Sequence, residues 1–217
     1  MNIYFSPHPD DVVLSCGGRL LSEDEALVVN VFAGNYKGLT EWDKLCGLRK
    51  EAIKQRKEED KRILSSLGFN VLNLDFLDIA VYKDLRSDFR SKSVESKLIE
   101  EIEDLISDHK PQKLFFPMGM GHEDHRLLNS IGERFVDLNR CFYADIPYSL
   151  NSKIQNYNKY KLSKEEMTKK LNLILRYKTQ IKGFLKLTNS NSIEEFKSKL
   201  ANYHEKESGY IEKFIEK

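Results

Sequence analysis

The sequence predicts an α/β protein built on a doubly wound, mainly parallel sheet with helices on both faces. Short apolar runs recur along the first 150 residues, and longer segments with helical periodicity separate them. This alternation is typical of parallel sheets, because parallel strands need a crossover connection, usually a helix. Right-handed crossovers then give a Rossmann-like sheet of strand order 3-2-1-4-5, in which the first and fourth strands are neighbours.

Each element is predicted by its own pattern of apolar residues. The apolar runs predict strands at residues 2–6, 27–33, 71–74, 113–117 and 141–146. Helical periodicity predicts helices at residues 45–67, ending at Gly68, and 93–109, ending before Pro111. After Pro147 we find no strand candidate, and the pattern predicts a helical segment with helices near 163–187, 192–202 and 205–216.

The composition excludes several classes of protein. Of the 217 residues 40% are hydrophobic, which excludes a disordered chain and suits one domain over residues 1–217. Lys and Arg (35) nearly balance Asp and Glu (34), so we expect no nucleic-acid partner. No apolar stretch approaches the roughly 20 residues of a membrane helix, and no signal-like start is present, so we expect a cytoplasmic protein. The three cysteines have no metal-type spacing, and we expect buried free thiols.

The charge is unevenly distributed along the chain. Residues 151–217 carry 15 basic and 8 acidic side chains, whereas residues 1–150 carry 20 and 26. We expect the basic segment to pack as a helical extension on the α/β core of residues 1–150. An ordinary solvated surface, a lip that attracts an anionic substrate, and a site for an acidic partner or surface are the three interpretations of its charge.

Two histidine-containing motifs follow the two strands that the predicted order places side by side. The first strand leads into Ser6-Pro7-His8-Pro9-Asp10-Asp11, and the fourth leads into Gly121-His122-Glu123-Asp124-His125. Three of the five histidines of the chain therefore lie at these two loops. Ligands bind at the carboxyl ends of such strands, so the motifs are expected to meet in a functional site.

The residue types in the two motifs suit a zinc ion. A catalytic zinc is held by three protein ligands, commonly imidazoles and a carboxylate, and keeps one position for water. His8 and Asp11 are three residues apart and lie on one side of a helical turn, whereas Asp10 is rotated by about 100° and is free to address the water. His122 and His125 repeat this spacing, so one can ligate while the other faces the substrate.

This constellation resembles the zinc-dependent de-N-acetylases of the PIG-L/LmbE family, whose signature is His-Pro-Asp-Asp after the first strand and His-x-Asp-His after the fourth. Weaker similarities extend over nearly the whole chain. They are Gly17-Gly18, Arg56-Lys57-Glu58-Glu59, Tyr177-Lys178-Thr179-Gln180 and Glu212-Lys213-Phe214. The sequence departs from the family at Val12, where a Glu is common, and at Glu123, where a Pro is common.

The resemblance implies specific roles for the motif residues. One zinc ion per chain would be held by His8, Asp11 and His125, and Asp10 would act as general base. A protonated His122 would stabilise the oxyanion or protonate the leaving amine, with Asp124 as a possible carboxylate partner. The implied substrate is a small N-acetylated amino sugar conjugate, and a homo-oligomer is plausible.

Two further residues have two interpretations each, and a third has one. Arg56 either reaches the substrate, as the family similarity suggests, or lies on a solvated helix face. Trp42 either forms a wall for a sugar or packs under its loop. His204 lies among charged residues and is expected to be exposed. Two alternative functions stay open: another metal-dependent amide or phosphoester hydrolase on the same site, and a metal-retaining binding protein without turnover.

Overall fold

One sheet forms the centre of the molecule. The computed structural model describes residues 1–84, 92–206 and 209–217. The strands are β1 (Asn2–Ser6), β2 (Ala26–Asn30), β3 (Asn70–Asn73), β4 (Leu114–Pro117), β5 (Arg140–Tyr143), β6 (Asn158–Leu162), β7 (Glu205–Lys206) and β8 (Gly209–Glu216). They lie in the order β3-β2-β1-β4-β5-β8-β6, and β7 pairs with β8. The pairs from β3 to β5 are parallel, which confirms the predicted order of the first five strands.

Helices cover both faces of this sheet. They are α1 (Asp11–Leu20), α2 (Glu41–Cys46), α3 (Ala52–Ser65), α4 (Ile79–Asp84), α5 (Lys92–His109), α6 (Glu123–Gly132), α7 (Lys164–Ile174), α8 (Ile181–Leu187) and α9 (Ile193–His204). Side chains of β1 alternate between two cores, with Tyr4 in one and Ile3 and Phe5 in the other. The predicted fold class is therefore confirmed. None of the helices in the described part of the chain is long and apolar enough to cross a membrane.

Two predicted helices are each divided in the structure. The helix predicted at 45–67 forms α2 and α3, because Gly47 adopts a left-handed conformation (φ 79°) that ends α2 after one and a half turns. Thr40 and Asp43 close the start of α2 with a capping box. The helix predicted at 163–187 likewise forms α7 and α8.

The prediction of a helix at 205–216 is wrong, and so is the absence of strands after Pro147. Residues 207–208 lie outside the described part, but Gly209–Glu216 form β8, antiparallel to β5 and β6. The apolar residues Ile211, Phe214 and Ile215 fit one face of a helix as well as a strand, so periodicity could not decide. The edge of β5 favours a strand here, because without β8 the backbone N–H and C=O groups along that edge would have no partners.

A buried polar cluster joins the basic segment to α1. Lys170 Nζ donates to Ser15 O (3.0 Å) and to Glu212 Oε1 (2.6 Å), and lies 3.1 Å from His204 Nε2. Glu212 also accepts from the backbone N–H of Gly18 at 2.8 Å. His204, expected to be exposed, is buried with 1% of its surface accessible, because this cluster needs it inside the core. The segment after residue 150 thus supports the helix that begins at the first histidine motif.

Candidate metal centre

The first motif forms the turn between β1 and α1. Ser6 Oγ donates to His8 O (2.6 Å) and accepts from the N–H of Val12 (3.3 Å), which closes the turn. Asp10 precedes the helix with φ at 117°, a left-handed region that non-glycine residues rarely adopt. Such strain is commonly kept at functional sites, where the surrounding structure enforces it.

The second motif forms the turn between β4 and α6. Gly119 and Gly121 have positive φ values of 80° and 75°. At Gly121 this is also a steric need, because a Cβ there would overlap the ring of Tyr148. His122 caps α6: its Nδ1 accepts the N–H of Asp124 at 3.2 Å. His125 then lies in the first turn of α6 and points back to the sheet edge.

The two turns meet because β1 and β4 are paired. Asp11 Oδ2 lies 3.1 Å from His8 Nδ1 and 3.2 Å from His125 Nε2. All three side chains are buried, and their ligand atoms lie within 4.8 Å of one another. His125 Nε2 is buried yet makes no hydrogen bond. A nitrogen of this kind suits a metal, and the donor set of two imidazoles and one carboxylate is that of catalytic zinc.

A carboxylate behind each histidine fixes its orientation. His125 Nδ1 lies 2.5 Å from Asp145 Oδ1, and Asp145 Oδ2 accepts the N–H of Met120 at 3.0 Å. His8 Nε2 lies 2.9 Å from Asp124 Oδ2, whereas His122 Nδ1 is farther from the same oxygen, at 3.8 Å. Asp124, expected as a partner of His122, therefore supports His8 more directly. Carboxylates in these positions select the tautomer and ring orientation of a metal-binding histidine.

The buried histidines and carboxylates of the site stabilise one another's charged forms. Burial opposes the charged forms of His8 and His125, but the surrounding carboxylates raise the pKa of His8 well above its usual value and that of His125 to about 9. Burial alone would raise the pKa of Asp11 as well, yet the charge of His125, 3.2 Å away, and the hydrogen bond and charge of His8 hold it well below its usual range. Positive charge is thus favoured where the three side chains converge.

His122 has the opposite character. Its burial, together with the charge of His8, lowers its pKa to about 4, so the ring is neutral near pH 7. From the sequence we expected a protonated His122. The neutral ring is favoured instead, because its Nδ1 accepts the backbone N–H of Asp124 and the positive charge of His8 repels a second positive charge. In the neutral form Nε2 carries the proton and can donate one hydrogen bond.

Asp10 lies next to this cluster, with Arg56 behind it. Burial and the charge of Asp11 raise the pKa of Asp10 well above its usual value, and Arg56 opposes part of this rise. Arg56 Nη2 is 4.0 Å from Asp10 Oδ2, and its Nη1 is 4.0 Å from Asp43 Oδ1. Arg56 is buried, so it does not lie on a solvated helix face as one interpretation held.

A pocket of about 150 Å³ opens onto these side chains. His8, Asp10, Asp11, Arg56, Asp78 and His122 form its polar side. Trp42, Tyr148, Phe184 and Leu187 form most of its apolar side. Trp42 fits both of its interpretations: it lines the pocket, and its Nε1 donates to Gln180 Oε1 (2.7 Å) while its ring packs on α8. The contact needs Gly183, where a Cβ would fall 2.6 Å from the indole.

The basic segment borders this pocket with apolar side chains. Phe184 and Leu187 of α8 contribute to the lining, and no lysine does so in the part of the chain that the structure describes. Lys170 of this segment lies in the core with Glu212. The charge of residues 151–217 therefore does not line the pocket, which argues against the interpretation of a basic lip there.

Comparison with known proteins identifies the family. Residues 3–136 match the family described as GlcNAc-PI de-N-acetylase, PIG-L. The chain belongs to this family. The matched residues contain β1 to β4, α1 and α6, and so include both histidine motifs.

This PIG-L protein is similar to one curated protein and to several solved structures that are named as deacetylases. A 2'-N-acetylparomamine deacetylase of Streptomyces fradiae is 28% identical in an alignment of 156 positions that covers 66% of this chain and 56% of that protein. A zinc-inhibited form of teicoplanin deacetylase superimposes with a TM-score of 0.82 at 19% identity, over 100% of this chain and 98% of the other. The A40926 pseudoaglycone deacetylase gives 0.81 at 23% identity, over 98% and 95%. At these identities the two structures show a shared fold.

The weaker family-like motifs of this PIG-L protein contact one another. Thr179 Oγ1 donates to Glu59 Oε2 (2.6 Å), and Tyr177 OH donates to Asp60 Oδ1 (2.6 Å). The segment after α7 is therefore fastened to α3, the helix that carries Arg56. Residues far apart in the sequence thus hold the arginine beside the pocket.

Three residues of the site were not anticipated from the sequence. Asp145 follows β5, next to β4, but the sequence analysis placed it inside the strand predicted at 141–146, so nothing marked it as a site residue. Tyr148 lies in the 3₁₀ turn Tyr148–Asn151, where its ring is perpendicular to that of His125. Asp78 follows β3 in a loop that carries no distinctive motif, and its Oδ2 lies 3.4 Å from His8 Nε2.

Proposed function

We propose that this chain is a zinc-dependent hydrolase that removes the acetyl group from an N-acetylated amino sugar or a conjugate of one. The observation that carries the proposal is the convergence of His8, Asp11 and His125, with a buried His125 Nε2 that makes no hydrogen bond. These three residues would hold one zinc ion per chain. When bound, zinc supplies Lewis acidity, which makes water a competent nucleophile at neutral pH and polarises an amide carbonyl.

Asp10 is the proposed general base. Its carboxylate borders the pocket and accepts the proton of the attacking water, and a raised pKa makes it a stronger base than an exposed aspartate. Arg56 opposes protonation of Asp10 before the reaction and so keeps the base available. The proton then passes to the amide nitrogen as the C–N bond breaks, and acetate and a free amine leave.

His122 is the proposed hydrogen-bond donor on the other side of the carbonyl. Its neutral ring can donate from Nε2, because Nδ1 is held by the N–H of Asp124. A fixed donor aimed at developing negative charge lowers the barrier without reorganisation. Arg56 and Asp78 on the polar side, and Trp42 on the apolar side, are proposed to position the sugar.

The substrate class rests on the family and its relatives. The family is named for a de-N-acetylase of an N-acetylglucosamine conjugate, and the proteins compared above are named as deacetylases of 2'-N-acetylparomamine and of the A40926 pseudoaglycone. The pocket supports an amino sugar because charged groups on one side can bind hydroxyls while an indole lies on the other.

One observation favours a second candidate, a two-metal phosphoester hydrolase. His8, Asp78, His122 and Asp124 also lie close enough to hold an ion. Both groups use His8, however, and a second ion would need its other nitrogen, which faces Asp124. An imidazole bridging two ions must lose both ring protons, so one ion per chain is the stronger proposal. Metal analysis showing two ions per chain would favour the alternative.

Acetate release from N-acetylglucosamine conjugates tests the proposal. We expect turnover by the zinc-loaded protein and its loss in the presence of a chelator. Asp10→Asn should retain bound zinc and lower kcat about 10²- to 10⁴-fold, the usual contribution of a general base. Asp137→Asn, an exposed aspartate after α6, is the matched control and should change neither. Chelator-resistant release, or full activity in Asp10→Asn, would contradict the mechanism.

A further inference from the structure

A chain of hydrogen bonds that the proposed mechanism does not use joins the two sides of the catalytic pocket. Trp42 of α2 lines the apolar side, and Arg56 of α3 lines the polar side. Thr179 and Gln180, which precede α8, connect the two helices. The side chain of Gln180 is fully buried, and burying an amide costs free energy unless its hydrogen bonds are made. The bonds of Gln180 therefore have to offset this cost.

The direction of this chain is fixed at its α3 end. An ionised carboxylate only accepts hydrogen bonds, so the hydroxyl of Thr179 donates its one proton to Glu59 Oε2, at 2.6 Å. The same hydroxyl is left to accept, and it accepts from Gln180 Nε2 at 2.8 Å. The amide therefore turns its carbonyl oxygen the other way, and Oε1 accepts from Trp42 Nε1 at 2.7 Å. Because an indole N–H is a donor only, all three bonds agree in direction.

Packing against α8 limits the position of the indole from below. A Cβ at Gly183 would fall 2.6 Å from the ring of Trp42 and 2.7 Å from Cys46 Sγ, so a larger residue there would displace one or the other. The ring centroids of Trp42 and Phe184 are 6.2 Å apart, and the two planes are tilted by 46°. These contacts set how closely the indole approaches α8. The bond to Gln180 sets the direction in which its N–H points.

At its other end the chain holds the helix that carries Arg56. Glu59 lies three residues after Arg56, on the same side of α3, and both side chains are buried. The carboxylate of Glu59 also accepts the backbone N–H of Thr179, at 3.1 Å, so Thr179 is held to α3 by two groups. The position of the indole relative to α3 and its guanidinium is thus set through the dipeptide Thr179-Gln180.

We infer that Gln180 is a positioning residue that acts on the substrate through Trp42, and that Thr179 and Glu59 keep its amide in the orientation this requires. The inference rests on the function proposed above, in which Trp42 and Arg56 position the substrate. Gln180 is not among the residues that line the pocket, and it contacts none of the proposed zinc ligands in the described part of the chain. A wall that holds the substrate equally before and during the reaction affects KM rather than kcat.

Fluorescence and kinetics of the zinc-loaded protein test this role together. Trp42 is the only tryptophan of the chain, so its emission reports this contact alone. Gln180→Met keeps the length of the side chain but removes its hydrogen bonds. We expect red-shifted emission and stronger quenching by acrylamide, because the indole N–H turns to water for a partner. KM for the N-acetylglucosamine conjugate should rise about three- to tenfold, the effect of one lost hydrogen bond, while kcat and zinc affinity stay within about twofold. Gln155→Met, at an exposed glutamine, is the matched control and should change none of these.

A double-mutant cycle with Trp42→Phe separates positioning from a merely structural role. If Gln180 acts through the indole, Gln180→Met adds nothing to the KM of Trp42→Phe, whereas effects that multiply overturn the inference. Unchanged emission and KM in Gln180→Met also overturn it and leave the deacetylase function intact. Should Gln180→Met fail to fold, Thr179→Val, which frees the amide to turn, decides by the same two measurements. If even the wild type releases no acetate, the proposed function fails, and emission and quenching alone decide whether Gln180 holds the indole.

Discussion

Replacing Asp145 should weaken zinc binding although Asp145 is not a proposed ligand. Its Oδ1 lies 2.5 Å from His125 Nδ1, and both side chains are fully buried. The carboxylate keeps the proton of the imidazole on Nδ1 and leaves the lone pair of Nε2 facing Asp11 and His8. In Asp145→Asn the amide no longer stabilises that arrangement by charge, and its NH₂ group favours the opposite tautomer.

The expected loss follows from this geometry. Carboxylates that orient a metal-binding histidine are typically worth 10- to 100-fold in metal affinity, or about 1.4–2.8 kcal/mol. We expect the upper half of that range, because water cannot replace the carboxylate at a fully buried site. Zinc affinity is measured by competition with a chromophoric chelator, and circular dichroism checks the fold. Asp137→Asn serves as the exposed control. A zinc dissociation constant for Asp145→Asn within threefold of wild type would show that Asp145 does not orient His125 for metal binding.

Three further predictions follow from the buried charges. Lys170→Met should lower the free energy of unfolding by about 3 kcal/mol, because it leaves the carboxylate of Glu212 buried without its cation; urea titration giving less than 1 kcal/mol would contradict this. Since carboxylates raise the pKa of His125 to about 9 against the effect of burial, zinc must displace its proton below that pH. Zinc affinity should thus rise about tenfold per pH unit for each proton released between pH 6.5 and 8.5, and a flat profile would count against it. Arg56→Met should raise the pKa of Asp10 further and move the acidic limb of the kcat/KM profile to higher pH; an unmoved limb would separate Arg56 from the base.

The sequence was enough to predict those strands of the sheet that are buried on both faces, because such strands are continuous apolar runs. The strand at Asn2–Ser6 is buried on both faces, and its apolar run identifies it directly. The pairing of β1 with β4 was predicted from the commonest strand order of doubly wound sheets, and it was enough to bring His8 and His125 together. The apolar pattern gave the wrong prediction at residues 205–216, where contacts with distant strands decide between helix and strand. Ile211 and Phe214 fit a helix equally well, and pairing with β5 and β6 makes them part of a strand.

The supporting residues of the site were harder to predict than its proposed ligands. Asp145 contributes through one hydrogen bond across neighbouring strands, and no spacing in the sequence marks such a bond. The role of Lys170 could not be predicted, because a lysine in a lysine-rich segment is normally exposed to solvent. Its burial depends on Glu212, which lies 42 residues later in the chain.

Reconstitution with zinc tests the central claim most directly. The protein is stripped with a chelator and titrated with zinc, while acetate release from an N-acetylglucosamine conjugate and bound metal are measured on the same samples. We expect activity to rise in proportion to bound zinc and to reach its plateau at one ion per chain. In His125→Ala neither zinc binding nor activity should recover at the zinc concentrations that saturate the wild-type protein. Full activity in the stripped protein, or a plateau that requires two ions per chain, would contradict it.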